Sequence, residues 1–206
     1  MGCEALSLAL KYLPASRGTL VLLRRKLSLT ERGKEILEMR REQLVKAIVD
    51  LINVVKRRPS VEHKLVRVLE EIARVRLARG EVEYSSLASL VSEPELDVLA
   101  VSYHGVPVPQ IRVRSPPGAE LLHDSELRRL SAELWEAVAE LVEVVNAELA
   151  LERLAAHLNY INRVVNGLER IIIPQLRETI RRLEERVEEE ALEEFTRLKR
   201  VRGRHS

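Results

Sequence analysis

The sequence is poor in cysteine and in aromatic residues. Cys3 is the only cysteine, so no disulfide can form within the chain and no cysteine cluster can bind a metal. Aromatic residues make up 3% of the 206 residues, with one Trp and one Phe, whereas compact cores of this size usually contain several large rings. No apolar run approaches the roughly 18 residues of a membrane span. Met1–Leu13 lacks the basic start and the cleavage site of a signal peptide.

Known catalytic and nucleotide-binding motifs are also missing. The sequence contains no GxGxxG, no GxxxxGK(S/T), no HExxH and no CxxC pattern. The five histidines are scattered along the chain: His63, His104, His123, His157 and His205. The carboxylate runs at 184–185 and 188–190 fit the solvated face of a long helix better than acid–base catalysis, which needs a concave site. We therefore expect no catalytic residue, no cofactor, no metal and no enzymatic activity.

What the chain has in abundance is Leu, Val, Ala, Glu and Arg, with 32% charged residues, a composition typical of coiled coils. From Ser16 to Arg58 the apolar residues recur at alternating spacings of three and four, which predicts a coiled-coil helix. They are Leu20, Leu23, Leu27, Leu37, Leu44, Ile48, Leu51 and Val55. Thr30, Lys34 and Arg41 interrupt this seam, which indicates either local control of the register or a docking point for another subunit.

The middle of the chain changes character after Arg58–Ser60, where Pro59 favours a helix boundary. A second helix is predicted over Val61–Arg79 and ends at Gly80. The segments Asp97–Tyr103 and Gln110–Arg114 are rich in Val and Ile and predict a β-hairpin whose loop is longer than two residues. Pro107 and Pro109 should lie at edges of this hairpin, because proline cannot donate to a β-ladder.

A third region begins near His123, where Asp124 and Ser125 predict a helix N-cap. A heptad seam runs from Leu151 to Ile172 and resumes one residue out of phase at Leu176. Pro174 lies at the change of phase and predicts a kink there. The predicted fold is therefore dominated by α-helix: a long antiparallel two-helix coiled coil of N- and C-terminal helices, with a central shorter helix and a small β-hairpin insertion. Its predicted parts are residues 14–58, 59–121 and 122–202.

Charge is unevenly distributed along the chain. Residues 1–58 hold 13 Lys and Arg against 6 Asp and Glu, and residues 121–206 hold 14 against 17, so two helices of opposite bias can pair. Basic residues cluster at Arg24, Arg25 and Lys26, and again at Arg197, Lys199, Arg200, Arg202 and Arg204. These clusters indicate solvated helix ends or an electrostatic collar that faces a protein. Nucleic-acid binding is disfavoured because few aromatic side chains are available to stack on bases.

Three separated parts of the sequence carry motifs of one known family. They are PASRGTLVLLRRKL from Pro14 with RGKEILEMRREQL from Arg32, GVPVP from Gly105, and NRVVNGLERIIIPQL from Asn162 with EFTRLK from Glu194. In this order they resemble the first helix, the central hairpin and the last helix of the D subunit, the central-stalk rotor, of archaeal A-type and vacuolar-type rotary ATPases. Met1–Leu13 extends past the usual start, and Gly167 replaces the usual Ala.

The resemblance implies a non-catalytic shaft that transmits rotation between a membrane ring and the catalytic hexamer. Its implied partners are the A/B hexamer, the F subunit and the funnel-shaped C (d) subunit above the ring, with no direct insertion into the membrane. The implied location is peripheral, on the cytoplasmic face of the cell membrane. We expect Arg24–Lys26 with Arg197, Lys199 and Arg200 to face the hexamer, and Gly105, Val106, Pro107, Val108 and Pro109 to form a second interface.

Two other classes of protein share parts of this pattern. A prefoldin-like chaperone subunit also has a helix–hairpin–helix plan, but its helix tips expose apolar residues, whereas basic residues mark the ends here. A generic coiled-coil tether explains the seam but not the three matched segments. The resemblance leaves open which ion is coupled and whether ATP is mainly made or consumed.

Overall fold

The computed structural model describes Pro14, residues 16–200 and the backbone of residues 201 and 202. Within this part the chain forms five α-helices and one β-hairpin. The elements are α1 (Arg17–Val55), α2 (Arg58–Arg79), α3 (Glu81–Ala88), β1 (Glu95–Tyr103), β2 (Val106–Ser115), α4 (Ser125–Gly167) and α5 (Ile173–Arg202), with a π-helical segment (Leu168–Ile172) between α4 and α5. The predicted fold class is confirmed. Cys3, Met1–Leu13, Arg204 and His205 lie outside the described residues.

The chain divides into two compact units, and the division falls within the long helices. Unit 1 comprises Met1–Glu42 and Asn159–Ser206, and unit 2 comprises Gln43–Leu158. Each unit has its own buried apolar residues, and each is described by itself.

In unit 1, α1 and α5 pair antiparallel through an apolar seam. Its core consists of Leu20, Leu23, Leu176, Ile180 and Leu183, flanked by Leu27, Ile172 and Val187. The ion pairs Arg24–Glu184 and Arg177–Glu31 fix the direction, because the residue number rises along one helix as it falls along the other. The heptad prediction for both ends of the chain is confirmed here.

The change of phase in the C-terminal seam coincides with the π-helical segment. There the backbone N–H of Ile173 donates to the carbonyl oxygen of Leu168, five residues earlier, so the turn holds one residue more than an α-helical turn. The extra residue shifts the apolar positions by one, and the buried positions continue as Ile173, Leu176 and Ile180. Pro174 follows in the first turn of α5, where its missing N–H is least costly. The kink at Pro174 stays a prediction.

In unit 2, α2 runs antiparallel to α4. Arg58 pairs with Glu148 at 2.6 Å and Lys64 pairs with Glu140 at 2.8 Å. Buried apolar residues lie along both helices and the segment that leads into α4: Val61, Val68, Leu122, Leu130, Ala137, Val144 and Leu154. Helices α2 and α4 thus form an antiparallel pair in unit 2, as α1 and α5 do in unit 1.

The helix boundaries of unit 2 follow local signals. Pro59 lies in the first turn of α2, and Gly80 ends that helix with a φ of 84°, which favours glycine. Asp124 caps α4, since its Oδ1 accepts the backbone N–H groups of Glu126 and Leu127. These predictions are confirmed, although α2 begins three residues before the predicted Val61. The short helix α3 was not predicted.

The hairpin is confirmed, but the prediction of a loop longer than two residues is wrong. Strands β1 and β2 pair antiparallel from Glu95 to Ser115, and only His104 and Gly105 connect them. Both have positive φ, 48° and 73°, as a two-residue type I′ turn requires. Pro107 and Pro109 lie within β2 and not in the loop.

Candidate interaction surfaces

The basic group at the start of α1 lies on the surface of unit 1. Arg24, Arg25 and Lys26 are all exposed, because the seam is formed by their neighbours Leu23 and Leu27. Arg24 donates to Glu184 at 2.6 Å, an exposed pair of the kind that contributes about 0–1 kcal/mol. These side chains are therefore available to a partner without loss of the core.

The basic group on α5 lies further along that helix. Arg197, Lys199 and Arg200 are exposed, and the Lys199 Nζ lies 5.1 Å from the centre of the Phe195 ring, a cation–π distance. Arg197 follows Glu184 by 13 residues, which corresponds to about 20 Å of helix. The two basic groups thus lie at different levels of unit 1 and do not form one ring.

An apolar stripe accompanies the basic group on α5, and sequence reasoning missed it. Leu192, Phe195 and Leu198 are 58–66% exposed and follow one another at intervals of three, so they share one helix face. The spacing is visible in the sequence, but it does not by itself distinguish an exposed stripe from a buried one. This end of α5 therefore offers both charge and apolar surface.

Polar interruptions of the α1 seam make contacts inside unit 1. The Lys34 Nζ lies 3.4 Å from Glu38 and 3.9 Å from Glu169, and the Thr30 hydroxyl donates to the carbonyl oxygen of Lys26. The contact between Lys34 and Glu169 joins α1 to the π-helical segment. That Thr30, Lys34 and Arg41 control the local register stays a prediction.

The predicted hairpin interface is partly inaccessible in unit 2. Val106 and Val108 are buried, whereas Gly105 and Pro107 are exposed and Pro109 is half-buried. The side chain of Asn146 on α4 holds β2 by accepting the N–H of Ile111 at 2.7 Å and donating to its carbonyl oxygen at 2.8 Å. An apolar cavity of about 250 Å³ lies beside this contact, lined by Leu51, Val101, Val108 and Ala147 among others.

An electrostatic cluster in unit 2 joins the end of α2 to the start of α4. Arg79 donates to Asp124 at 2.5 Å and to Glu126 at 2.8 Å. The bond from Arg79, followed by the backbone N–H of Leu127, holds the pKa of Asp124 below its ordinary value. The same two carboxylates raise the pKa of Arg79. This cluster has the character of a structural tie, since each charge has an opposite partner.

The described residues show no group suited to metal chemistry. No three His, Cys, Asp or Glu side chains lie close enough to hold a metal ion within residues 16–200, and no polar or charged side chain in that described range is buried. None of the helices in the described part of the chain has the length and apolar character needed to cross a membrane.

Helices paired along an apolar seam, with charged and apolar side chains exposed beside it, define a coiled-coil protein. The chain belongs to the family of ATP synthase D subunits, whose sequence model matches residues 19–203. The D subunit of the A-type ATP synthase of Thermococcus sibiricus is 32% identical over 197 residues, and that of Pyrococcus abyssi is 32% identical over 201 residues; both alignments cover 91% of this chain and 92% of the relative. The protein of the same name from Methanopyrus kandleri is 31% identical over 202 residues, covering 91% and 84%. The resemblance is confirmed, and the chain is a subunit of an ATP synthase.

Proposed function

We propose that this chain is the non-catalytic central-stalk subunit of an A-type or vacuolar-type rotary ATPase. In this role it transmits rotation between the membrane ring and the A/B catalytic hexamer, and so couples ion translocation to ATP synthesis or hydrolysis. The observation that carries the proposal is the antiparallel pairing of α1 with α5 in unit 1, in a chain whose relatives are named as D subunits of A-type ATP synthases. Two helices joined along a seam resist twist better than one helix does.

A shaft of this kind acts by presenting different faces to equivalent catalytic sites at the same time. The surface of unit 1 supports this, because basic residues at Arg24–Lys26 and Arg197–Arg200 lie at different levels. Unequal surfaces bias the conformations of sites that are chemically alike, and binding differences are what shift such equilibria. The proposed partner of these basic residues is the A/B hexamer. The F subunit and the funnel-shaped C (d) subunit are proposed to bind other parts of the chain. The proposed location is the cytoplasmic face of the cell membrane, without insertion.

The prefoldin-like alternative loses support, although one feature of the surface is in its favour. The exposed Leu192, Phe195 and Leu198 are the kind of apolar tip that a holdase would need. The family assignment nevertheless covers the α5 helix that carries them, so we assign this stripe to contacts within the ATP synthase.

The proposal is tested by co-expression with the A, B and F subunits, followed by native mass spectrometry. We expect one copy of the chain in each A/B hexamer.

A matched pair of variants tests the basic group on α5. The triple change Arg197→Glu, Lys199→Glu and Arg200→Glu reverses three charges. The control, Arg197→Lys, Lys199→Arg and Arg200→Lys, preserves them. We expect the reversal to impair ATP-driven rotation without unfolding the chain and the control to retain it. Equal rotation in both would contradict the proposed role of this surface.

A further inference from the structure

The two outer edges of the β-hairpin are treated differently in this structure. The outer edge of β2 is closed by Pro107 and Pro109, which have no N–H to offer, and by Asn146, which occupies both backbone groups of Ile111. Strand β1, with the sequence ELDVLAVSY, contains no Pro and no Lys, the residues that natural proteins commonly place on open edges. One edge is protected against further pairing and the other is not.

The ladder register shows which backbone groups β1 presents. Because Ile111 directs its N–H and carbonyl oxygen to Asn146, its cross-strand partner Val98 also directs both groups away from β2. The alternation of an antiparallel ladder then places the N–H groups of Leu96, Ala100 and Ser102 on the same open edge. The only irregularity of the pairing lies between Glu95 and Leu96, so the open edge is regular for about 20 Å.

The hairpin face that borders this edge is apolar and carries no charged residue. Cross-strand pairs share a face, and this one is formed by Leu96, Val98, Ala100, Ser102, Pro107, Pro109, Ile111 and Val113. Val98 is 70% exposed and Leu96 is 47% exposed. The opposite face carries the buried Val106 and Val108. An open edge beside an exposed apolar face is the arrangement that strand addition uses.

Charge indicates the chemistry of the strand that fits. Glu95 and Asp97 lie at the start of β1, and β1 has no basic residue. The arginines of the hairpin, Arg112 and Arg114, lie on β2, one strand further from an added segment. Glu95 already pairs with Arg114 at 3.8 Å, so a strand beside β1 meets the carboxylate of Asp97 on one side and an uncharged apolar surface on the other.

We propose that the open edge of β1 binds an extended segment of another subunit of the complex by strand addition. The segment has alternate apolar side chains that cover Leu96 and Val98, and a basic side chain that lies near Asp97. The choice of a different subunit, and not a second copy of this chain, rests on the proposed function, in which one copy serves each hexamer.

The test compares the isolated chain with the chain in the reconstituted complex by hydrogen–deuterium exchange at residue resolution. We expect the exchange rates of the amides of Leu96, Val98, Ala100 and Ser102 to be lower in the complex by at least about tenfold. Equal exchange in both would overturn the proposal. Protection that is already present in the isolated chain and rises with its concentration would also overturn it, since a second copy would then be the occupant.

A matched pair of variants separates the backbone contact from a general effect on the fold. Ala100→Pro removes an outward N–H and leaves the bonds to β2 intact, whereas Ala100→Val keeps the N–H. We expect the protection at Val98 to be lost in the first variant and retained in the second. Val98→Lys, which places a charge on the uncharged face, is an independent variant should Ala100→Pro fold poorly, and we expect it to abolish the protection as well. Retained protection in folded Ala100→Pro or in folded Val98→Lys would contradict the proposal.

ATP-driven rotation is measured on the same preparations. Equal exchange with normal rotation would overturn strand addition alone. Protection of β1 in a complex whose chain does not rotate would contradict the shaft function and support strand addition.

Discussion

Removing one residue from the π-helical segment should be tolerated, whereas removing one residue from α5 should not. The wide turn at Leu168–Ile172 already holds one residue more than an α-helical turn. Deleting the exposed Arg170 converts it to an α-helical turn and leaves the seam on both sides in phase. Deleting the exposed Glu178 instead rotates the rest of α5 by about 100° relative to α1. The first deletion removes an irregularity, and the second separates the two halves of the seam.

The magnitudes follow from the buried side chains. Ile180 and Leu183 are 7% and 5% exposed, and moving such side chains from the seam to solvent costs about 1.5–3 kcal/mol each. Deletion of Glu178 should therefore cost about 3–6 kcal/mol, which lowers the melting temperature of a chain of this length by about 6–24 °C. Deletion of Arg170 alone moves Pro174 into a continuous α-helix, at a cost of about 3 kcal/mol. Both deletions are accordingly made in a Pro174→Ala background.

The assay is thermal and urea unfolding of the two double variants beside Pro174→Ala alone, followed by circular dichroism. We expect the Arg170 deletion to stay within about 1 kcal/mol of that reference, because its buried contacts are unchanged. Equal destabilisation by the two deletions would refute the argument that the π-helical segment absorbs the change of phase.

Three further predictions concern separate contacts. Leu176→Ala should lower the free energy of unfolding by about 2–5 kcal/mol because this side chain is fully buried, and Leu192→Ala, at an exposed position, should leave it nearly unchanged in urea unfolding. Asn146→Ala should cost about 1–3 kcal/mol and speed hydrogen exchange at Ile111, whose N–H and carbonyl oxygen lose their partner; unchanged exchange there would contradict the docking of β2 on α4. Because the pKa of Asp124 is lowered in the folded chain, its contribution to stability is present above its ordinary pKa of about 3.8 and is lost as the pH falls through the lower folded value. The stability advantage of wild type over Asp124→Asn should therefore be constant above about pH 5 and decrease in stronger acid, and an advantage that does not change with pH would be evidence against this tie.

The periodic parts of the fold could be predicted because burial imposes the period. The spacing of Leu20, Leu23 and Leu27 predicted the seam of α1, and the one-residue shift before Leu176 predicted an irregularity near Pro174. A proline marks where a helix cannot be regular. The π-helical turn forms because one extra residue is needed to keep the apolar residues before and after the change of phase on the same side of the helix. The sequence pattern therefore located the irregularity without identifying its geometry.

The hairpin shows why local signals alone were insufficient. The predicted loop spanned Pro107 and Pro109, although a proline is compatible with a strand wherever its backbone nitrogen points to an outer edge. His104 has a positive φ although it is not glycine, because a type I′ turn requires positive φ at both central positions. The outer edge of β2 is covered by Asn146, which follows Ile111 by 35 residues and gives no signal in the sequence near the hairpin.

The candidate surfaces were predicted by charge and therefore incompletely. Arg197, Lys199 and Arg200 are exposed, as basic residues usually are. The neighbouring Phe195 and Leu198 fit a helical stripe that could equally have been core. Only the absence of a helix partner for this stretch among the described residues shows that the stripe lies on the surface.

The rotation of this chain within the complex is the central claim, and single-molecule observation tests it most directly. A gold particle is attached through Leu121→Cys, a position that is 66% exposed, in a Cys3→Ser background, and the A/B hexamer is fixed to a surface. On addition of ATP we expect the particle to turn stepwise in one direction. A particle that stays still while the assembled complex hydrolyses ATP would contradict the account.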